Sequence, residues 1–227
     1  PVQLVHASRN KVARAEPVSY DGEFYQLPLQ GGAGLGKPLR ATVHPLRPDI
    51  PIYLGSEGPK NVALTAEIAD GWLPLFFAPK DNQFYLDALN EGFARPGARR
   101  TLADFYVAAV VPVVINDDVE AAADAIRPML ALYAGGMGAR EANFHLNVFA
   151  RMGYEAECAR IQDLYLAGDK RAAIAAVPTA MVEDVALVGP PAKIRSDLDA
   201  WRESVVNTLV VSGPPPLLEA IAEIVAP

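Results

Sequence analysis

From Pro51 onward short apolar runs alternate with stretches of helical spacing, and this rhythm constrains the fold more than any other feature of the chain. It marks parallel strands joined by crossover helices. Four such units can be read. The first pairs Ile52-Tyr-Leu54 with a helix from about Pro59 to Ala69, and the second pairs Trp72-Leu-Pro-Leu-Phe-Phe77 with a helix from about Asp81 to Ala94. The third has a long strand, Phe105 to Ile115, whose valine and alanine content suits burial on both faces, with Asp117 and Asp118 marking the next helix start. The fourth is Asn207-Thr-Leu-Val-Val211, followed by a helix after Pro216. Between the third and fourth strands, residues 118–204 read as a helical insertion too long for one crossover, punctuated by Gly135-Gly136, Gly153, Gly168, Pro178 and Gly189-Pro190-Pro191.

Upstream of Pro51 the pattern is different. Leu4, Val5, Ser8 and Val12 give a helix over Val2 to Ala15, stopped by Pro17. Asp21-Gly22, set between aromatic and β-branched residues from Val18 to Tyr25, predicts a tight β-hairpin. A glycine-rich loop from Gln30 to Gly36 and a short extended piece from Ala41 to Leu46 follow. No linker composition divides the chain, so residues 1–227 are expected to form one domain with the 118–204 insertion inside it. The fold class is α/β, of the (β/α)8 TIM-barrel family. A closed barrel needs eight units in about 250 residues, so about four C-terminal units make an incomplete one. An open half-barrel exposes strand edges and an apolar inner face, and a homodimer or higher self-association is the expected consequence.

The balance of 27 Asp and Glu against 20 Lys and Arg, a net charge of -7, argues against a nucleic-acid partner. The densest basic spot, Arg95, Arg99 and Arg100, reads as a solvated loop. Cys158 is the only cysteine, which excludes an internal disulfide and fits a reducing cytoplasm; it reads as a buried thiol. No run approaches the ~20 apolar residues of a membrane helix. The three histidines, His6, His44 and His145, fit no metal-ligand spacing, so no metal site is expected.

Two glycine-rich stretches invite a phosphate. Gly31-Gly-Ala-Gly-Leu-Gly36-Lys37 approaches the P-loop pattern, but Pro38 stands where a magnesium-binding hydroxyl belongs, and neither strand nor helix flanks it. Leu54-Gly-Ser-Glu-Gly-Pro-Lys60 joins a strand end to a helix start, where backbone amides attract anions, Pro59 suits the first helical position and Lys60 adds positive charge. Such a loop reads equally as an anion cradle or as a tight turn. Leu75, Phe76 and Phe77 lie near the next strand end, as core residues or as walls for a flat ring. Of the three histidines, His145 in Asn143-Phe-His145, just after Gly135-Gly-Met-Gly138, is the one that invites a catalytic role, although a lone histidine is more often structural.

In the order Tyr20-Asp-Gly-Glu-Phe-Tyr-Gln-Leu-Pro28, Pro51 to Leu64, Ala69-Asp-Gly-Trp-Leu-Pro74, Gly136-Met-Gly138, Asn143-Phe-His145, Met152-Gly-Tyr154 and Leu187-Val-Gly-Pro190, the chain resembles the luciferase-like monooxygenase superfamily. It is most similar to the actinobacterial-type branch that depends on the deazaflavin coenzyme F-420. The resemblance implies a barrel, usually dimeric, with the coenzyme over the C-terminal strand ends. Gly55, Ser56, Glu57, Gly58 and Pro59 then match the loop near the coenzyme's phosphate-bearing side chain, and Leu75, Phe76 and Phe77 border its pocket. The implied reaction is hydride transfer to or from a small organic substrate, with His145 the named candidate for the proton. FMN is the alternative coenzyme, with a monooxygenase reaction; a non-catalytic binding or dimerisation module is the other alternative. The resemblance also implies roughly a hundred further residues in family members before the point matching Val12, holding the first four strands of the barrel.

Overall fold

The opening helical pattern forms α1 (Val2–Ala13) in the computed structural model, which describes residues 2–14 and 16–226. Ala15, the expected last residue of that helix, lies outside the described residues. The hairpin forms with β1 (Tyr20–Asp21) antiparallel to β2 (Gln26–Leu27), but its turn is longer than the Asp-Gly signal implied. Asp21 belongs to the ladder opposite Gln26, so residues 22–25 make the loop, closed by the Gly22 N–H to the Tyr25 carbonyl at 3.0 Å. The expected extended piece at Ala41 to Leu46 is not a strand. Val43 and Leu46 lie exposed, and the nearest pairing is one antiparallel bridge between Val18 and Leu39.

The repeating part follows as β3 (Tyr53–Leu54), α2 (Pro59–Ile68), β4 (Gly71–Trp72), α3 (Asn82–Phe93), β5 (Tyr106–Val110) and β6 (Val113–Ile115). The insertion supplies α4 (Val119–Asp124), α5 (Arg127–Gly136), α6 (Phe144–Phe149), a π-type turn at Ala150–Tyr154, α7 (Glu155–Leu166), α8 (Lys170–Ala175) and α9 (Thr179–Val185). The chain closes with β7 (Leu187–Gly189), α10 (Pro191–Arg202), β8 (Thr208–Val210) and α11 (Pro215–Val225). β3, β4, β5 and β8 form one parallel sheet in that order, and β6 pairs in parallel with β7. Helices cover one face of an open, parallel sheet: the α/β class of an incomplete barrel.

Prolines reshape the longer strands expected from apolar content. The strand expected over Trp72 to Phe77 ends early, because Leu73 still donates to the Leu54 carbonyl at 3.0 Å but Pro74 has no N–H to continue the ladder. The strand expected over Phe105 to Ile115 is divided at Pro112. Val111 donates to Val210 on one side of the break, and the Pro112 carbonyl accepts from Leu187 on the other. The 118–204 interval is therefore not helical throughout: it contains β7, a three-residue strand that the adjacent Gly189-Pro190 made look like punctuation.

Two cores result. One lies between the sheet and α2, α3, α10 and α11 and includes Trp72, Phe77, Leu89, Val107 and Trp201; the other is inside the insertion and includes Phe76, Leu130, Phe149, Ile161 and Met181. The opposite face of the sheet is open. Tyr53 and Tyr106 stack there at 5.5 Å across Gly71, where a Cβ would sit 2.6 Å from the Tyr106 carbonyl, and Val110 and Val210 are exposed on the same face.

At the N-terminal strand ends, buried Asp70 accepts from the Ile52 N–H at 2.9 Å, from Arg9 at 2.9 Å and from Arg100 at 3.0 Å. Burial alone would raise its carboxyl, but these donors and the two guanidinium charges hold it below the usual aspartate value. Arg95 likewise pairs with Glu67 and Glu91. Arg95 and Arg100, in the basic stretch read as a solvated loop, thus form ion pairs with α2, α3, Asp70 and Asp104, while Arg9 ties α1 to the same Asp70.

Candidate active site

Parallel strands place all their C-terminal ends on one side, so the loops after β3 and β4 converge there. β3 ends at Leu54 and α2 begins at Pro59. The turn between them requires Gly58 at φ 79°, a conformation costly for a side-chain-bearing residue. No side chain caps α2, so its first backbone amides remain available to an anion, and Pro59 fills the position where a missing N–H costs nothing. Two bonds pin the loop from below. The Trp72 indole N–H donates to the Ser56 carbonyl at 2.8 Å, and the Ser56 and Thr65 hydroxyls meet at 2.9 Å.

Opposite this loop stands α6, delivered by the insertion. Buried Asn143 fixes its start: its Oδ1 accepts from the Leu146 N–H at 3.0 Å, and its Nδ2 donates to the Tyr133 and Ala134 carbonyls, each at 2.9 Å. The next two residues, Phe144 and His145, are thereby aimed at the loop. His145 Nδ1 lies 3.0 Å from Glu57 Oε1, joining residues 88 apart in sequence. The second oxygen, Oε2, is also 3.0 Å from Nδ1 but lacks the alignment for a bond, and it is buried without a hydrogen-bond partner among the described residues. Both side chains are about nine-tenths buried, 10% exposed for His145 and 11% for Glu57. Rings of Phe144, Tyr133 and Phe76 surround the imidazole at 4.2, 4.9 and 6.1 Å between centroids.

Burial pushes the Glu57 carboxyl up from its ordinary value, while the hydrogen-bonded His145 and the more distant Arg151 pull it back. Burial also raises Asp81 and Tyr85. Arg151, on the π-type turn, lies over the Phe84 ring at 5.2 Å. Phe144 stands between two hollows. One of about 220 Å³ is bounded by residues 55–57, Leu73, Leu75, Phe144 and His145; the other, about 420 Å³, lies over residues 54–57 and the first turns of α2, including Asn61 and Thr65. A further cavity of about 330 Å³ between α10, α11 and β8 is distant from the pair and mostly apolar, with Arg202, Asn207 and Thr208 among its lining residues.

Among the residues expected at the site, Gly55, Ser56 and Glu57 line both hollows, Gly58, Pro59 and Lys60 form the adjoining helix start, and Leu75 and His145 wall the smaller hollow. Phe76 is buried behind His145. Phe77, expected beside the pocket, instead packs into the sheet core against Trp72, Tyr85 and Trp201, because adjacent residues beyond the broken strand turn to opposite cores. The sequence reading missed Leu73, Phe144, Asn61 and Thr65. A signal for Phe144 was present: the Asn143 cap places the next residue in the first turn of the helix that carries His145. Cys158 is fully buried and its thiol is pushed up to about 12, chiefly by burial, as befits an inert core residue. Among the described residues no three His, Cys, Asp or Glu side chains converge as metal ligands, and no helix is long and apolar enough to cross a membrane.

Residues 3–208 match the family model for luciferase-like monooxygenases. The chain is 49% identical over 212 residues to a Mycobacterium tuberculosis protein named as a candidate coenzyme F-420-dependent oxidoreductase, covering 92% of this chain and 61% of that protein. It is 30% identical over 200 residues to 5,10-methylenetetrahydromethanopterin reductase of Methanopyrus kandleri, covering 87% of this chain and 52% of the reductase. The solved structure of the coenzyme F-420-dependent tetrahydromethanopterin reductase from Methanopyrus kandleri superposes over 99% of this chain and 61% of that one, with a TM-score of 0.71 at 25% identity. An F-420-dependent secondary alcohol dehydrogenase has the same TM-score at 15% identity, a likeness of fold. The chain thus spans between half and two thirds of the length of these relatives, and with its parallel strands, its insertion and its loop of residues 55–58 it belongs to the luciferase-like monooxygenase family.

Proposed function

We propose that this chain carries the C-terminal part of an oxidoreductase site that uses the deazaflavin coenzyme F-420 to move a hydride to or from a small organic molecule. The observation that carries the reading is the uncapped start of α2 beneath an open glycine loop, facing the Glu57–His145 pair across two adjoining hollows. The residues fit such a coenzyme. A Cβ built on Gly58 meets no atom within 4 Å, so the backbone is open to a phosphate-bearing chain, which the α2 amides and Lys60 would hold. Leu75 and Phe144 would flank a flat ring. When bound, the coenzyme supplies the two-electron hydride chemistry. The protein's own part is to orient, to exclude water through the apolar walls and to keep a proton available at His145. Self-association belongs to the same proposal, since the open sheet face with Tyr53, Tyr106, Val110 and Val210 needs a cover.

Titrating the chain with F-420 and separately with FMN, followed by coenzyme fluorescence, tests the reading. Saturable F-420 binding, weakened at least tenfold by Gly58→Leu, is expected; the leucine would meet both the strain of a positive φ and the coenzyme's approach. An unchanged dissociation constant removes residues 55–60 from the site. Binding of FMN alone moves the proposal to the flavin-dependent members of the family, and binding of neither favours a non-catalytic module.

A further inference from the structure

We propose that Glu57 positions His145 as the proton carrier for an uncharged carbonyl or alcohol group seated in the 220 Å³ hollow, an inference that rests on the oxidoreductase reading above. An ionised carboxylate can only accept, so its contact with Nδ1 requires Nδ1 to hold the ring proton. That leaves Nε2 as the basic nitrogen, and Nε2 makes no hydrogen bond with any described residue. A purely structural role accounts poorly for this arrangement. Burying an ionisable pair among Phe144, Tyr133 and Phe76 costs desolvation that an apolar pair would avoid, and here the carboxylate leaves Oε2 unpartnered as well.

The chemistry balances in both directions. In alcohol oxidation Nε2 would take the hydroxyl proton as the carbon's C–H bond breaks and the C=O bond forms, the hydride acceptor being the oxidised deazaflavin that residues 55–60 would hold. In reduction the imidazolium would return the proton to the carbonyl oxygen, and hydride donation is the chemistry that a bound reduced deazaflavin would supply. The other titratable groups around the pair are Arg151, which draws Glu57 toward ionisation, Tyr85, coupled to both Glu57 and Arg151, and Tyr133, whose ring stands edge-on to the imidazole. The remaining walls, Gly55, Ser56, Leu73, Leu75 and Phe144, offer no counter-charge, which selects an uncharged substrate. The hollow is smaller than the ~300 Å³ at which drug-sized ligand pockets begin, which selects a small one.

Long-range proton–nitrogen NMR on the histidine side chains of the chain without coenzyme tests this directly, with cyclohexanol as the probe. In the unmodified protein His145 should show the Nδ1–H tautomer, and its Nε2 resonance should move saturably as cyclohexanol is added. Glu57→Met, which keeps bulk but no acceptor, should shift His145 to the Nε2–H tautomer and abolish the response, while Glu57→Asp should retain part of both. Unchanged far-ultraviolet circular dichroism and a retained cooperative urea transition confirm that the variants fold. An Nε2–H tautomer in the unmodified protein, or a tautomer unaffected by Glu57→Met, overturns the pairing. F-420 titrated into the same samples separates the two claims: binding without the tautomer switch refutes the pair and spares the coenzyme reading, whereas the switch without F-420 binding refutes the oxidoreductase reaction.

Discussion

Trp72→Phe tests whether the loop that opens α2 is held from below by a single indole. Trp72 is 1% exposed, its ring packs against Tyr85 and Phe77, and its N–H is the donor to the Ser56 carbonyl at 2.8 Å. Phenylalanine keeps the aromatic packing but removes that donor and one five-membered ring. Leaving a half-buried carbonyl without its partner costs about 1–2 kcal/mol. The lost volume, on the order of 40 Å³, costs about 1 kcal/mol more at ~24 cal/mol per Å³. The expected loss is therefore about 2–3 kcal/mol, a large fraction of the ~5–15 kcal/mol that holds a typical domain together. With a urea slope of about 2–3 kcal/mol per molar, the unfolding midpoint should fall by about 1 M at unchanged slope. Phe77→Leu is the matched comparison, because Phe77 lies in the same core, packs against Trp72, Tyr85 and Trp201, and makes no side-chain hydrogen bond to the loop. Both variants should lose stability, but only Trp72→Phe should weaken F-420 binding, since only it frees residues 55–58. A midpoint shift below about 0.3 M, or equal binding losses in the two variants, refutes the anchoring role.

Gly71→Ala should destabilise by about 1–3 kcal/mol in thermal unfolding, because its Cβ would lie 2.6 Å from a backbone oxygen that cannot move aside; an unchanged midpoint would mean the Tyr53–Tyr106 stack tolerates separation. Asp70→Asn should be destabilising at pH 7, and the gap to the unmodified protein should close as pH falls. The folded carboxyl sits below its unfolded value, so its contribution is complete above about 3.9 and is lost as pH drops through the folded value; urea unfolding at pH 7 and pH 3.5 reads the difference, and a gap independent of pH refutes it. The purified chain should self-associate in light scattering through its open sheet face, and Val110→Lys should weaken the association; a sharp monomer for the unmodified chain contradicts this.

The repeating units were legible because crossover spacing is a local property: Ile52 to Leu54 and the helix from Pro59 appear in the structure much as the residue pattern implies. The misread parts share a cause. Pro74 and Pro112 interrupt hydrogen-bond ladders in runs whose apolar content alone reads as continuous strand, and apolar content cannot say where a missing N–H ends pairing. β7 was hidden because its partner, β6, lies more than seventy residues earlier, and a three-residue strand has no period to detect. The longer hairpin turn has the same origin, since its register depends on Asp21 pairing with Gln26 rather than on the Asp-Gly dipeptide.

The site was legible as two fragments and not as one object. The glycine loop announces itself by composition, and His145 by being a histidine beside an asparagine cap. Their meeting depends on a helical insertion folding back over the strand ends, and that placement is set by the second core rather than by either motif. Phe76 and Phe77 show how the two cores divide the labour: one residue points into the insertion and backs His145, the next points into the sheet and backs Trp72. A substitution in the insertion core, far from the glycine loop, should therefore disturb Glu57 as much as His145. Phe149→Ala is the direct case, because its ring lies 4.7 Å from Phe76, which in turn supports the imidazole. It is expected to cost about 3–5 kcal/mol of stability. At temperatures where the variant remains folded, the His145 Nδ1–H signal should broaden or disappear although neither member of the pair has been touched. A sharp, unshifted signal would mean that Asn143 alone fixes the histidine, and that the insertion core stabilises the fold without setting the geometry of the site.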